Sequence, residues 1–435
     1  MLWKKRPLAQ MAGVLLATSL LAACGGGADA DDVAAEVTTP ADPVSLRMTV
    51  WTANEAHLAL FNEIADEYIA ENPDLVSEVK FDALPFDDYM TTLTTQLAGG
   101  NAPDLAWIFE HSAPEFVESG ALADISGVLS EAEGYEYDDL MDSALELWKK
   151  DDGLYAYPFS NSPFVMFVNT DRIAESGQPN PAELYADGEW TLDKAREIAA
   201  ASAEQLGGQG FVVRDFDYAN WSNLETVLFQ FGAEPWSADG TECTFNSPEM
   251  VDGMTWLHDA AFQDGAMPTP GTSADFFAGD VTMTITQISR ASSADGSFEF
   301  DVVPLPEGPD GQVGVVGQAG LGVMKNSANP AVAADFLAFF TKPDNAKKLA
   351  AFFPPPRESL ISPEVLKEAN KTLTDPQLEA VVDGIVGARA KAAHKNYAQL
   401  DTAIRAELDS LWTEGADVEG VLNQVCTAIE PLLNS

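Results

Sequence analysis

Residues 44–81, VSLRMTVWTANEAHLALFNEIADEYIAENPDLVSEVKF, decide the class of fold. A β-type run at 45–51 is followed by apolar residues at helical spacing over 55–72 and by a second β-type run at 76–81. A strand, a helix and a second strand in this order are typical of an α/β body with helices on the faces of its sheet.

The same alternation continues beyond this stretch. Residues 89–97 predict a second helix, which closes on Gly99-Gly100, and residues 105–109 predict a third strand. Because ligands of open α/β sheets lie beyond the carboxyl ends of the strands, the residues that follow each strand are candidates for function. These are residues 52–55, 85–87 and 110–112.

The beginning of the chain reads as an export signal. Three basic residues at 4–6 precede an apolar run at 11–23, which is too short for a membrane span of about 20 residues. The sequence LAAC at 21–24 resembles the lipobox of bacterial lipoproteins, so we expect a signal peptide over 1–23 and a lipid anchor on Cys24. The alternative is an ordinary cleavage site with an incidental cysteine. Residues 24–43 have the composition of a flexible tether.

Composition limits the choice of partners. With 435 residues and 46% hydrophobic content, the chain can form a large core and more than one domain. Its formal charge of −46 argues against nucleic acid and against anionic lipid headgroups, so the membrane is reached only through the lipid. We interpret the acidic excess as solvation rather than as a cation site, and we predict no metal and no cofactor.

Two cysteines remain in the mature chain, Cys243 and Cys426. An even pair in an oxidising compartment predicts one disulfide, and two separate buried thiols are the alternative.

A hydrolase is the main rival to a binding protein, because acidic residues are abundant and glycosidases use two carboxylates. Abundance alone is no evidence of a site. The sequence contains no nucleophile elbow, no zinc-protease helix, no phosphate loop and no Cys-x-x-Cys pair. The glycine-rich residues 317–322 lack the dinucleotide-binding spacing, and we interpret them as a crossing segment between two parts of the fold.

Ten short segments, taken in order, resemble the extracellular solute-binding proteins of family 1, the maltose-binding-protein-like sugar receptors of ABC importers. The resemblance covers almost all of the mature chain. The segments are TVW (49–51), GGNAPD (99–104), GALAD (120–124), GLYAYP (153–158), FVNTD (167–171), WT (190–191), FFAGDVTM (276–283), PLP (304–306), GLGV (320–323) and AADFL (333–337).

This resemblance implies an α/β, two-lobe periplasmic-binding-protein type II fold with a hinge and a ligand cleft between the lobes. Lobe 1 would comprise residues 44–158 and 304–341, and lobe 2 residues 159–303 and 342–435. The implied function is capture of a mono- or oligosaccharide by a monomeric, lipid-anchored protein outside the cell membrane, which hands the sugar to an ABC transporter permease. Both mature cysteines then fall in lobe 2, which favours the disulfide.

A sugar site needs carboxylates and amides around the edge of the sugar ring and an aromatic platform beneath it. Trp221 is the predicted platform, because the resembling proteins often place a cleft tryptophan in this region. The predicted polar contacts are Asn54, Glu55, Glu110, His111, Asn161, Gln287, Gln318 and Arg357.

Structural roles are open for several of these residues. Glu110 and Asn161 could cap strand ends, Trp221 could pack in the core, and Arg357 could pair with a carboxylate at the lobe junction. Thr286-Gln287 stands where the family often has a glycine-tryptophan pair. A polyamine, a peptide or another small solute is the alternative cargo of the same fold, and an anchored glycoside hydrolase is the alternative function.

Overall fold

The computed structural model describes most of the chain: residues 37–86, 88–214, 218–272, 274–369, 371 and 373–435. The predicted signal peptide, Cys24 and the tether as far as residue 36 lie outside the described residues. At the end of the predicted tether, Val37 packs against the core of the first lobe.

Among the described residues, eleven strands are present. They are β1 (Val44–Val50), β2 (Val76–Ala83), β3 (Leu105–Phe109), β4 (Lys149–Lys150), β5 (Gly153–Leu154), β6 (Ala156–Asn169), β7 (Gln209–Val213), β8 (Val281–Gln287), β9 (Phe300–Val303), β10 (Val315–Val323) and β11 (Arg389–Ala390).

The described chain also forms sixteen α-helices. They are α1 (Glu55–Glu71), α2 (Tyr89–Ala98), α3 (Ala113–Glu118), α4 (Ser126–Glu131), α5 (Asp142–Leu145), α6 (Thr170–Ser176), α7 (Pro181–Ala186), α8 (Leu192–Leu206), α9 (Glu225–Leu228), α10 (Pro248–Phe262), α11 (Pro330–Thr341), α12 (Pro343–Leu349), α13 (Pro363–Ala369), α14 (Asp375–Ile385), α15 (Tyr397–Leu408) and α16 (Val418–Leu433).

The main sheet runs in the order β2-β1-β3-β10-β6-β8-β7, with β11 beside β10 and β9 beside β6. At one end, β1 is parallel to β2 and β3, and at the other end β7 is parallel to β8. The antiparallel pair β10 and β6 connects these two parallel parts. The predicted α/β alternation is therefore present, and it occurs twice.

The buried side chains form separate cores on the two sides of this antiparallel pair. Residues 46–159 and 319–349 supply the first core, which defines lobe 1. Two further clusters draw on residues 164–315 and 350–433 and define lobe 2. Strand β6 passes from one lobe to the other, and all 14 of its residues are buried.

The return to lobe 1 lies within β10, later in the chain than the predicted boundary at Pro304. Leu305 and Val315 still pack in lobe 2, and the Trp190 indole donates a hydrogen bond to the Pro304 carbonyl at 3.0 Å. Lobe 1 also extends past the predicted end at Thr341, because Leu349 belongs to its core. The proline-rich crossing that follows at 354–356 is non-helical, as the sequence predicts.

Glycine at position 320 is required by close packing within β10. A Cβ atom there would lie 2.5 Å from the Trp148 ring. The glycine-rich segment is therefore an extended crossing strand packed against an indole, rather than a nucleotide-binding turn.

A disulfide joins Cys243 to Cys426 within lobe 2, with the Cα atoms 5.4 Å apart. It ties α16 to the bridge between Trp236 and Cys243. Closing a loop over 183 residues restricts the unfolded chain strongly, so the bond stabilises this lobe.

Candidate ligand-binding cleft

The carboxyl ends of the parallel strands in each lobe point toward the junction of the lobes. In lobe 1, Trp51 follows β1, and Glu110 and His111 follow β3. His111 and Glu110 touch residues of lobe 2, so the end of β3 lies at the interface between the lobes. This is the position at which open α/β sheets bind ligands.

Stacked rings run through this junction, and we call them the aromatic column. Trp51 stacks on Phe109 with ring centroids 4.5 Å apart, and Phe109 stacks on His111 at 5.3 Å. His111 stacks on Tyr397 of lobe 2 at 4.6 Å, and Tyr397 is parallel to within 20° of Trp221 at 6.4 Å. The column crosses from lobe 1 to lobe 2 between His111 and Tyr397.

Phe86 forms the exposed edge of this column. It follows β2 and meets Phe109 edge-on at 5.1 Å and Trp51 at 6.2 Å. Its side chain is 49% exposed, which is unusual for a large apolar residue in this chain. Phe86 therefore offers a ring on which a solute can stack.

Trp221 occupies the interior end of the column. It is 2% exposed, packs edge-on against Phe245 and Trp236, and donates its indole N–H to Asp401 at 2.9 Å. Burial raises the pKa of Asp401. The structure thus places the predicted platform inside the core of lobe 2, where the indole supports Tyr397 and presents no open face.

Beside the column lies a group of buried ionisable residues, Glu110, Lys391 and Glu225, which we call the charged cluster. The Lys391 ammonium lies 3.1 Å from a Glu110 oxygen, across the lobe junction, and 3.4 Å from the Asn223 amide oxygen. Glu225 accepts a hydrogen bond from the Ala392 amide at 3.0 Å. Burial in low dielectric makes the protonation states of these groups depend on their neighbours.

The pKa values make the cluster neutral overall near pH 7. Burial opposes ionisation of Glu110, but the attraction of Lys391 and His111 together with hydrogen bonds to the carboxylate outweighs burial, and the pKa of Glu110 is lowered. Burial raises the pKa of Glu225 to about 8 and lowers the pKa of His111 to about 4. Glu225 and His111 are therefore uncharged, and the charges of Glu110 and Lys391 cancel.

Two amide side chains meet where β6 and β10 cross between the lobes, and we call them the crossing amides. Gln318 donates to the Asn161 side chain at 2.8 Å and accepts from the Trp148 indole at 3.2 Å. The Asn161 main chain donates to the Pro354 carbonyl at 2.8 Å. Both side chains are 3% exposed, so their hydrogen bonds are made within the protein.

Arg357 is fully buried beneath lobe 1. Its guanidinium donates to the Glu136 carbonyl at 3.2 Å and to the Thr341 carbonyl at 3.1 Å, and it lies 3.6 Å from Asp139. It also covers the Tyr135 ring at 4.7 Å. These contacts fit the alternative of a carboxylate partner at the junction, and the structure does not bring Arg357 together with the aromatic column.

The remaining predicted contacts lie at edges of the junction. Asn54 is exposed and caps α1, accepting from the Ala56 amide at 2.9 Å, while Glu55 is exposed in the first turn. Gln287 ends β8 and is half-buried. Its amide would lie 2.6 Å from a Cβ atom on Gly317, so it touches the crossing strand.

The family model of the bacterial extracellular solute-binding proteins matches residues 63–376. The chain belongs to this family. It is a binding protein and not an enzyme.

Two relatives in sequence and one solved structure are similar to this chain. A lipoprotein of Streptomyces antibioticus is 26% identical over 405 residues, covering 86% of this chain and 79% of its own. The arabinooligosaccharide-binding protein of Halalkalibacterium halodurans is 24% identical over 341 residues, covering 74% and 73%. A solved ABC substrate-binding protein of Listeria monocytogenes, in complex with cycloalternan, shares the fold with a TM-score of 0.76 and 22% identity, over 90% of this chain and 99% of that one.

No helix in the described part of the chain is long and apolar enough to cross a bilayer. No cluster of three or more potential metal-ligating side chains occurs among the described residues.

Sequence reasoning missed several residues of the junction. Trp51 and Phe109 follow or end strands of lobe 1, so the strand-end rule could have found them. Lys391 follows the two-residue strand β11, Tyr397 is the first residue of α15, and Glu225 begins the short helix α9. No local pattern marks these three residues, because their partners are more than 160 residues away.

Proposed function

We propose that this solute-binding protein captures an uncharged sugar between its lobes and delivers it to an ABC transporter permease. The observation that carries the proposal is the junction itself, where an aromatic column adjoins a cluster whose charges cancel. A neutral polyol has apolar C–H faces that stack on rings, and it brings no charge that would need a partner. An anionic solute would need an unpaired basic residue, and Lys391 already neutralises Glu110.

The relatives support the same cargo. One curated relative is named for arabinooligosaccharide binding, and one solved structure of the same fold holds cycloalternan. We propose a mono- or oligosaccharide as the class of solute on these grounds together with the geometry of the junction.

In this proposal Phe86 supplies the open ring face on which the sugar stacks, and the partly exposed edges of Phe109 and His111 and the Glu110 carboxylate contact the sugar beside it. Tyr397 is buried and supports His111 from lobe 2. Asn54, Glu55 and Gln287 lie at the rim and provide further polar contacts. Asn161, Gln318, Trp221 and Arg357 act indirectly, since their polar atoms bond to other parts of the protein. They hold the crossing strands and Tyr397 in place.

Binding would favour a closed arrangement of the lobes. A sugar in the junction would contact Phe86 of lobe 1 and Gln287 of lobe 2, so it would stabilise the closed form relative to the open one by its differential affinity. The permease would then recognise the closed form.

A polyamine is the alternative solute, because cations attract carboxylates and stack on aromatic rings. Titration calorimetry with glucose, maltose, arabinose, arabinooligosaccharides and spermidine separates the two. We expect a sugar to bind, to raise the melting temperature and to be recovered unchanged. A micromolar ligand at hundredfold excess stabilises the protein by ~3 kcal/mol. Binding of spermidine without binding of any sugar contradicts the proposal.

Phe86 gives the sharpest mutational test of the ring contacts. Phe86→Ala should weaken sugar binding by about 1 kcal/mol, since an exposed ring contributes through stacking and not through the core. Phe298→Ala is a matched control, because Phe298 is a partly buried ring on the far side of lobe 2, against Gly279. Equal sugar affinity in wild type and Phe86→Ala would remove Phe86 from the site.

We further propose that the protein is exported, is anchored through a lipid on Cys24 and acts as a monomer. The S. antibioticus relative, which is named a lipoprotein, supports the anchor. Cys24→Ala should abolish incorporation of a labelled fatty acid and release the protein from the membrane fraction. Continued labelling of this variant contradicts the assignment.

A further inference from the structure

A second feature of the junction is an open pocket with a volume of about 240 Å³, which we call the side pocket. Lobe 1 contributes His57 to its wall, lobe 2 contributes Ile288, Ser289 and Leu378, and Phe352, which follows α12, packs on the His57 ring at 4.4 Å. The pocket therefore exists only where the two lobes meet.

The side pocket opens at the strand ends that form the cleft. His57 lies in the first turn of α1, just after β1, and shares a hydrogen bond of 2.9 Å with Thr52. Ile288 follows the last residue of β8. Another wall residue, Pro354, accepts the hydrogen bond from the Asn161 main chain. Thr52, the partner of His57, is adjacent to Trp51 of the aromatic column, so the side pocket and the column meet at the same strand end of lobe 1.

The walls of the side pocket are apolar. Ten of its thirteen lining residues have apolar side chains, and the exceptions are His57, Ser289 and Lys371. Burial lowers the pKa of His57, so the imidazole is neutral near pH 7. A bare sugar ring, with hydroxyl groups around its edge, would find too few hydrogen-bond partners here.

The size of the pocket suits one small apolar group. An apolar cavity of about 150 Å³ accommodates benzene, so this larger space can hold a single ring with a short linker. Apolar concave walls at a binding cleft favour an apolar ligand group over water.

We infer that the solute is a glycoside whose aryl substituent occupies the side pocket while its sugar contacts the aromatic column. This inference rests on the proposed function and specifies the class of sugar. It distinguishes glycosides with an aryl substituent from unsubstituted oligosaccharides.

Matched ligand pairs test the inference by calorimetry. The probes are the methyl and phenyl forms of α- and β-glucopyranoside, β-galactopyranoside and α-arabinofuranoside. For the sugar that binds, we expect the phenyl form to bind about tenfold tighter or more, because the ring leaves water. Equal affinity of the two forms overturns the inference and leaves the proposed function intact. Failure of every sugar and glycoside to bind contradicts the proposed function, and the inference falls with it.

Variants locate the phenyl group. Ala351 lines the pocket and is half-buried, so Ala351→Leu fills the space and should reduce the phenyl-to-methyl affinity ratio to about one. Ala406→Leu, on the exposed face of α15, is the matched control and should keep the wild-type ratio. If Ala351→Leu fails to melt cooperatively, Ser289→Leu fills the same pocket from its exposed side. A phenyl preference that survives pocket filling places the ring elsewhere and overturns the inference.

Discussion

Two sets of side chains connect the lobes: the crossing amides and the charged cluster. The crossing amides do so through neutral hydrogen bonds, and the charged cluster does so through an ion pair. Asn161 and Gln318 lie on the strands that run between the lobes, and their hydrogen bonds join neutral groups. Glu110 and Lys391 meet across the junction through opposite charges, on segments that belong to different lobes. The first connection is continuous in the chain, whereas the second depends on the lobes being in contact.

The difference suggests a division of roles. Neutral amide bonds are insensitive to pH and hold the crossing strands in register whichever position the lobes take. A buried ion pair contributes little net stability, but removing one partner leaves an uncompensated charge, so such a pair specifies one arrangement. We therefore expect the crossing amides to hold the crossing strands in register and the charged cluster to specify the closed position.

The largest expected effect comes from removing the cation of the charged cluster. Lys391→Met leaves Glu110 without its partner in a buried site, and breaking a buried pair costs about 3–5 kcal/mol. We expect urea denaturation of this variant to show that loss in unfolding free energy, and we expect the variant to bind sugar more weakly. The double variant Glu110→Gln, Lys391→Met should recover most of the stability, because no charge is then left unpaired. If Lys391→Met has the unfolding free energy and the sugar affinity of the wild type, the charged cluster does not connect the lobes in the way described.

The next effect concerns pH and Glu225. Burial raises the pKa of Glu225 to about 8, above its ordinary value of 4.5. Its contribution to stability is therefore complete below pH 4.5 and is lost as pH rises through 8. His111, whose pKa is lowered to about 4 by burial, acts in the opposite direction and contributes fully above pH 6.5.

Between pH 6.5 and pH 8 the Glu225 effect should therefore be visible by itself. At ~1.4 kcal/mol per pKa unit we expect the unfolding free energy to fall by about 2 kcal/mol over this range. The Glu225→Gln variant has no titrating group at this position. Its unfolding free energy, measured by urea denaturation at pH 6.5 and pH 8, should therefore not fall in this way. A parallel decline in both proteins would assign the pH dependence to another group.

Disruption of the crossing amides should have a smaller effect that does not depend on pH. Asn161→Leu removes the acceptor of the Gln318 amide and leaves it only the Ala144 carbonyl at 3.3 Å. A buried donor that loses a partner costs about 1–2 kcal/mol. Urea unfolding at pH 6.5 and 8 should give the same loss at both values. A loss that changes with pH would mean that the two connections are coupled.

The smallest expected loss of stability comes from an exposed charge pair, which we compare with the buried pair of Glu110 and Lys391. Lys348 lies 2.8 Å from Glu67 on the surface of lobe 1, where the two side chains are 35% and 44% exposed. Lys348→Met, the same substitution as at Lys391, should cost ~0–1 kcal/mol because solvent screens the pair. Equal losses at Lys348 and Lys391 in thermal denaturation would show that burial is not the deciding factor.

The fold was largely predictable from the sequence because the apolar pattern is local. The order β1, α1, β2, α2, β3 follows from strand and helix periodicities, and Asn54 begins α1 as a helix cap. The return to lobe 1 lies later than the predicted boundary at Pro304, because the Pro304 carbonyl bonds to the Trp190 indole and Leu305 and Val315 pack in lobe 2, and no local pattern records these contacts.

The site was less predictable, because a polar residue at a strand end can face the ligand or another part of the protein. Glu110 and His111 lie at the junction, where the strand-end rule places them. Gln318 and Asn161 bond to each other instead, and Asp401, 180 residues away, accepts the Trp221 indole hydrogen bond. Such long-range partners are set by packing and leave no mark on the local sequence.

Closure of the lobes on a neutral sugar is tested most directly by small-angle X-ray scattering during a titration with the sugar that binds in calorimetry. We expect the radius of gyration to decrease and to reach its limit at the same sugar concentration at which calorimetry shows saturation. A radius of gyration that stays constant while the sugar saturates the protein would contradict closure.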